Sequence, residues 1–481
     1  MLCGPRTKRL LFCGAMAAFL AVVPARPSAG QDDKTPKTVD LMQNAALYYW
    51  KAAGIMQAPA TPEEFALLSF VEKDLPALPP RIFATRPDAL RWLLNERPMI
   101  NALDQGARHP ACAFPIYVEG EAALDLGHLP KIRAMARRAL AVAKAFEYAD
   151  NAEGAAIVYA NLLRLVQHLD QDESITSGLA AADILQEVAA QLQGYLARGQ
   201  RTQAVSVLAR FFAASPETIF HPADYLRFEA RRYGSWLLSY SDRAEERLTR
   251  LYGNTAYRPG VEVLLSLSAP EREDRLRGWV TDYQHRIRSI TEAMEQPYAA
   301  GISQIRELDQ QKTAMRAGGT PDANPLIPLL VPTANSLYQR FLLAEAQFDA
   351  VDVLCAAALF RAETGAWPDD LPAISALTQR VFAQDPFSGD DLFYKLGGDM
   401  PTMTIRVPKW MASQPNYLYT FNLSRQLKDE GNRLEDLLRK IREDKQQRAE
   451  EAVKAKLLSD QTTEAGEASS REKSSTRRRR P

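Results

Sequence analysis

Apolar and polar positions alternate along most of this chain with a helical period. Leu41 to Met56 predicts a helix with Asp40 as its N-cap. Thr61 followed by Pro62 starts a second, running through Val71. Pro76, Pro79 and Pro80 force an irregular stretch, and Asp88 to Glu96 is a short helix. From Pro130 the pattern becomes regular. Ile132 to Tyr148 is a helix rich in Ala and Arg. Ala155, Val158, Leu162, Leu165, Val166 and Leu169 recur at three- and four-residue steps, which marks one face of the next. Ser174 caps a third, from Ile175 to Leu196, and Gly199 ends it. Gln200 to Phe212 is a fourth. The connections are a few residues long, so neighbours are expected to be antiparallel. Asp224 to Tyr252 and Glu271 to Met294 are longer helices.

The period changes in the last third. Residues 317–332, rich in Gly and Pro, read as a linker. Leu337, Phe341, Ala344, Phe348, Val351, Cys355 and Ala358 then form a stripe at alternating steps of four and three. Gly365 stands where such a helix ends, and Pro368 prevents its continuation. Leu392 to Leu396, Met403 to Val407 and Tyr417 to Phe421 are strands, with a turn at Gly397-Gly398-Asp399. The stripe is expected to lie against that sheet, with Asp352 off it. Leu392 and Tyr394 point to one face and Phe393 to the other, which leaves the core face open. The tail carries one narrow apolar stripe, Leu434, Leu437, Leu438 and Ile441, among acid-before-base pairs such as Glu435–Arg439. It predicts a charged helix to about Leu458 that buries little, then a disordered basic end over 459–481.

The N-terminus is a different kind of segment. Arg6, Lys8 and Arg9 precede an apolar run from Leu10 to Val23, followed by Pro24 and small residues including Ser28, Ala29 and Gly30. A basic start, an apolar centre and a small-residue exit describe a secretory signal peptide. The run has 14 residues, whereas a spanning helix needs about 20. Cleavage is expected after Ala29 or Gly30, with Ala25 as second choice; an uncleaved short anchor is the alternative. Cys13 does not make a lipoprotein site, because bulky Phe12 stands where a small residue belongs. No later run approaches membrane length, so no transmembrane segment is expected after cleavage.

Charge is unevenly distributed along a formally neutral chain. Residues 1–30 carry a net +4 and residues 425–481 another +4, which leaves the body, 31–424, at −8. An acidic body argues against a nucleic-acid surface. Arg477 to Arg480 form a basic end, expected to be solvated. Beyond the signal segment only Cys112 and Cys355 remain, too few for a disulfide framework. Cys355 lies on the apolar stripe and reads as a buried hydrophobe; a bond between the two is the alternative.

Two stretches resemble known families. Cys112-Ala113-Phe114-Pro115, then His128-Leu129-Pro130-Lys131-Ile132-Arg133, then Leu162 to Leu169 resemble a group of exported helical proteins of planctomycete bacteria. That resemblance covers roughly residues 110–215 and implies a helical array and no particular activity. Phe360, Gly365, Trp367, Pro368 and Leu371, followed by Asp385-Pro386-Phe387 with Gly389, Leu392 and Tyr394, resemble the soluble part of type II secretion pseudopilins. It implies an αβ module over about 335–424. Pilus assembly does not carry over, because prepilin proteins bear their membrane helix at the extreme N-terminus. The helix-hairpin array resembles tetratricopeptide-type solenoids in architecture only: their Trp, Gly and Pro signature is absent.

Candidate chemistry is sparse. The five His residues show no HExxH and no i,i+4 pair, and there is no G-x-S-x-G and no P-loop. Cys112 near His109 and His128 suggests a thiol with a base, set against a small buried residue. Arg164 and His168 share a helix face opposite the Ala155–Leu169 stripe, either lining a concave binding surface or solvated. Asp385, Asp390, Asp391 and Asp399 flank one loop and hairpin and are candidates for calcium, a metal found in this region of some pseudopilins. Aspartates are also ordinary turn residues. Trp367 and Phe387 read as core. No cofactor is implied.

The fold expected is mainly α: signal peptide 1–30, helical array 31–325, pseudopilin-like helix and small antiparallel sheet 326–424, charged helix 425–458, disordered tail 459–481. Helical arrays present extended surfaces. The expected function is therefore a non-catalytic exported scaffold or binding protein, periplasmic or at the cell surface, whose partner is another envelope protein or polymer. The alternative is an envelope hydrolase assembled from scattered residues such as Cys112 and a His. A deep pocket joining Cys112 to His109 or His128 would favour the enzyme, and a long groove lined by Arg and Tyr would favour binding.

Overall fold

In a computed structural model of the chain, the described residues are 43–114, 126–238, 258–317, 324–414 and 417–476, with side chains described to residue 454. The signal segment, Asp40, residues 239–252 of one expected helix, and Arg477 to Arg480 lie outside them. The described chain is mainly helical, with one small three-stranded antiparallel sheet.

Helix α1 (Ala45–Gly54) starts later than the Leu41 expected, because Asn44 is the cap. The Asn44 side chain accepts from Ala46 N at 3.0 Å and from Ala113 N at 2.9 Å, and donates to Ala113 O at 2.8 Å. The start of the helix is thus tied to the segment at Ala113. Helix α2 (Pro62–Ser69) opens with a capping box between Thr61 and Glu64. It runs into a π turn, Phe70–Asp74, and two 3₁₀ turns, Leu75–Ala77 and Pro80–Ala84, in the proline-rich stretch. These turns leave carbonyls with accepting capacity that no regular helix fills. The buried Lys144 ammonium collects three, donating to Leu75 O, Pro76 O and Leu78 O at 3.0, 2.9 and 2.6 Å. Helix α3 (Pro87–Leu94) matches expectation. Helix α4 (Arg97–Ala107) was not expected; Pro98 stands in its first turn, where no N–H is needed.

Helices α5 (His128–Tyr148), α6 (Ala152–Asp170), α7 (Ile175–Ala197) and α8 (Thr202–Ala213) follow, with Ser174 capping α7 as predicted. Then come α9 (Pro222–Leu238), α10 (Arg258–Ser266), α11 (Ala269–Met294) and α12 (Tyr298–Ala317). Helix α7 touches α5, α6 and α9, and also two later elements, α14 (Ala334–Thr364) and α17 (Leu423–Thr476). Small residues permit this crowding. A Cβ on Gly178 would come within 2.8 Å of the Tyr225 ring. The described end of the expected linker is packed: α13 (Leu326–Leu330) buries Leu326 and Ile327, and Asn324 donates to Trp279 O at 2.8 Å.

Helix α14 ends at Gly365, whose φ of 87° provides the left-handed turn predicted. Its stripe does not face the sheet. Phe348 packs on Phe212 and Phe211 of α8, with ring centroids 4.9 and 6.3 Å away, and Phe341 meets Tyr225 and Phe220. The expectation fails because α14 is buried on several sides: 20 of its 31 residues are covered. The array takes the stripe. The later strands take another side, where Gln347 donates to the Leu418 carbonyl. Asp352, off the stripe, is held by Arg380 at 2.7 and 2.5 Å and is largely buried. After α15 (Leu371–Thr378), strands β1 (Phe393–Gly397) and β2 (Met400–Thr404) form the hairpin through Gly398; after α16 (Lys409–Ala412), β3 (Thr420–Asn422) pairs with β2. Met403 and Phe421 oppose each other on the core face, and Phe393 points outward.

Helix α17 runs to Thr476, well past the expected end near Leu458. The stretch 459–476 contains no Pro and holds three Glu, two Ala, one Arg and one Lys, and here continued helix replaces the disorder expected. Its first turns bury more than expected. Leu434 is buried, and Glu430 meets Arg198, which also pairs with Glu147. Beyond Ile441 the described side chains are exposed.

Two outcomes test this packing. Phe348→Ala should cost ~3–5 kcal/mol, and a cycle with Phe212→Ala should show coupling of ~0.5–1.5 kcal/mol. Additive losses in denaturant unfolding would place Phe348 away from α8. Truncation after Ser424 should cost ~3 kcal/mol or more, because several leucines and the Glu430 bond are lost. Truncation after Glu443 should stay within ~0.5 kcal/mol. Equal melting temperatures for the two truncations would show that the first turns of α17 contribute nothing.

Candidate functional site

Helix α5 places Arg133 and Arg137 one turn apart, and α7 places Asp183 and Glu187 at the same spacing. Where the helices meet, the residues form two rungs. Arg133 Nη2 lies 2.7 Å from Asp183 Oδ2, and Arg137 donates through Nη2 and Nε to Glu187 Oε1 at 2.8 and 3.0 Å. A third guanidinium arrives from α14: Arg340 donates to the other oxygen of Asp183. These side chains are between about a third and a half exposed. They wall a cleft of about 320 Å³ together with Gln414 and Tyr417.

Three guanidinia against two carboxylates leave one net positive charge at the cleft. The hydrogen bond to Glu187 holds the Arg137 guanidinium above its already high pKa. Among the described residues Arg133 Nε has no hydrogen-bond partner. The arrangement suits an incoming anion, since planar guanidinia at fixed positions match carboxylate and phosphate geometry. Its described lining holds no thiol and no imidazole.

The residues singled out from sequence lie elsewhere. Cys112 is buried, with its N–H donating to Gln171 Oε1 at 2.8 Å. Burial, then the Asp172 carboxylate, push its thiol pKa well up, the reverse of what a nucleophilic thiolate needs. His109 stacks on Tyr48 with ring centroids 4.7 Å apart. His128 stacks on Phe114 at 4.3 Å, its Nε2 lying 3.7 Å from Asp172 Oδ2. Cys355 is also buried, and neither cysteine is bonded.

His168 is neither solvated nor part of a surface groove. Its Nδ1 lies 2.6 Å from the Tyr49 hydroxyl, deep in the core. Burial, then Arg164, pull its pKa down to about 3. Arg164 is half-buried, bonding Gln167 Oε1 at 2.6 Å and covering the Phe211 ring.

The four aspartates do not converge. Asp385 spends its oxygens on Phe387 N at 2.9 Å and Arg406 N at 2.6 Å. Asp390 pairs with the Arg406 guanidinium, Asp391 sits in a bridge to Gln384, and Asp399 is exposed in the hairpin turn. Among the described residues no three His, Cys, Asp or Glu side chains come together as metal ligands. Trp367 and Phe387 are buried.

The cleft residues were missed because each pair reads as a charged face of its own helix. The i,i+4 repetition of Arg133 and Arg137, and of Asp183 and Glu187, was visible. That α5 would meet α7 across the intervening α6 was not.

No protein-family model, no curated protein and no solved structure matches the chain.

The buried imidazole has a pH consequence. Its folded pKa is below the ordinary value near 6.5, so the unfolded chain takes up the proton first. The stability it contributes is present above pH ~6.5 and is lost as pH falls towards about 3. The loss reaches at most ~1.4 kcal/mol per pH unit. His168→Asn should therefore flatten the fall in unfolding free energy between pH 6.5 and 4.5. Parallel curves for the two proteins would contradict this.

Proposed function

We propose that this protein is a non-catalytic, exported scaffold or binding protein of the cell envelope. Its arginine cleft holds an acidic group of another envelope protein or polymer. The observation that carries the reading is the cleft itself, where three guanidinia from two helices far apart in sequence surround an open space beside Gln414 and Tyr417. The cleft is short, not a long groove, and its Arg and Tyr lining supports binding. Export rests on the basic, apolar and small-residue succession of residues 1–30. Among the described residues no helix is long and apolar enough to cross a membrane.

In this reading residues 31–325 are the TPR-like array and 326–424 the pseudopilin-like module. The long α14, the left-handed Gly365 and the small antiparallel sheet support the second assignment. The hydrolase alternative has no comparable support, since the Cys112 thiol is buried and its pKa raised.

Fluorescein-labelled hexaglutamate serves as the probe. Its anisotropy should report saturable binding that weakens as salt rises. The double variant Arg133→Gln, Arg340→Gln should lose at least tenfold in affinity, and Cys112→Ala should lose none. Equal affinity in the double variant and the wild type would remove the cleft from the function.

A further inference from the structure

A second cavity, of about 310 Å³, lies among α7, α9, α11 and α13 and shares no lining residue with the arginine cleft. Leu226, Ile287, Leu330 and Pro332 make an apolar wall. One end is polar. Arg232, from α9, is buried there with only 5 % of its side chain exposed, and it pairs with Glu229 one turn earlier. The ring of Tyr233 lies under the guanidinium, 4.0 Å from its carbon. Tyr283, from α11, is fully buried.

The donors at this end are only partly used. Arg232 Nη2 is taken by Glu229, while among the described residues Nε and Nη1 have no hydrogen-bond partner, and neither has the Tyr283 hydroxyl. A buried donor without an acceptor costs ~1–3 kcal/mol, and more when charged. These donors line a space of the size that holds small ligands, which starts near ~300 Å³.

The charge balance decides what fits. Arg232 and Glu229 form a buried ion pair with no net charge. A carboxylate entering beside them would bring a charge that nothing compensates. Glu229 takes one of the two N–H groups of Nη2, and the N–H groups left on the guanidinium suit single acceptor oxygens on an uncharged molecule, which meet them without adding charge.

We propose that this cavity binds a small, largely apolar, uncharged molecule bearing a carbonyl-type oxygen, which Arg232 and Tyr283 hold by hydrogen bonds. The hydrocarbon part lies along Leu226, Ile287 and Leu330. Burial keeps the Tyr283 hydroxyl protonated and able to donate, because it raises the phenol pKa and Glu229 raises it further.

The test is calorimetric titration of the full chain at pH 7.5 with 2-octanone and with octanoate. The ketone should bind saturably at one site, and octanoate of the same length at least tenfold more weakly. Arg232→Met should weaken ketone binding at least tenfold. Tyr283→Phe removes only an oxygen with no hydrogen-bond partner among the described residues, so its melting curve should match the wild type while ketone affinity falls at least threefold. That variant carries the test if Arg232→Met does not fold. Absence of saturable ketone binding, full affinity in Tyr283→Phe, or tighter binding of octanoate than of the ketone would overturn the proposal. None of these results depends on the arginine cleft.

Discussion

Helix α7 is enclosed by five other helices, and most of the fold follows from that enclosure. Sixteen of its 23 residues are buried. A helix covered so widely must present small or apolar side chains, and its charged groups must find partners. Gly178, Ala180, Ala181, Ala182 and Ala189 give the first condition. The second is met at its end by Arg198, which lies between Glu147 of α5 and Glu430 of α17. The final helix is thereby fixed to the body by a charge that would otherwise lack one of its partners. Breaking such a pair costs more than making it contributes.

The same economy appears wherever helices far apart in sequence converge. Asp183 on α7 accepts from Arg133 and from Arg340, so one carboxylate joins α5, α7 and α14. Because that junction reaches water, it forms a cleft with net positive charge. The Arg232–Glu229 pair is enclosed instead, and its charge is balanced within the pair. The two differ in the ligand they suit for that reason: an anion where solvent screens the site, an uncharged acceptor where it does not.

Buried ionisable groups mark where irregular backbone is held. Lys144 gathers three carbonyls of the proline-rich turns, and burial pulls its pKa down to about 8. Glu345 does the complementary task on the segment before α9. It accepts from Ile219 N at 3.0 Å and Phe220 N at 2.9 Å, while burial pushes its pKa up to about 7. The segment from Ile219 to His221 thus begins α9 against α14 with its amides satisfied. Neither residue is remarkable in sequence, since a single Lys or Glu on a helix reads as solvated.

Local pattern was enough for the parts that local physics decides. The period of Ala155 to Leu169, the Ser174 cap, the Thr61-Pro62 start and the Gly365 stop each depend on a few neighbouring residues, and each stands where it was read. The hairpin at Gly397–Gly398 is of the same kind. What depends on partners distant in sequence was not legible. The stripe on α14 was correct as a buried face, but apolarity does not say which surface covers it. The array covers it, and the sheet has another side. Arg133, Asp183 and Arg340 each sit on an amphipathic helix and become a site only because three helices meet. Conversely, Cys112, His168 and Asp385 looked chemical in sequence, and tertiary packing placed them otherwise: His168 against the Tyr49 hydroxyl, Asp385 on backbone amides, and Cys112 buried with its N–H on Gln171. Sequence determines which faces are apolar, because hydrophobic burial follows composition and period. Which polar groups meet is decided by the packing of whole helices, because a hydrogen bond or ion pair needs two partners brought within about 3 Å.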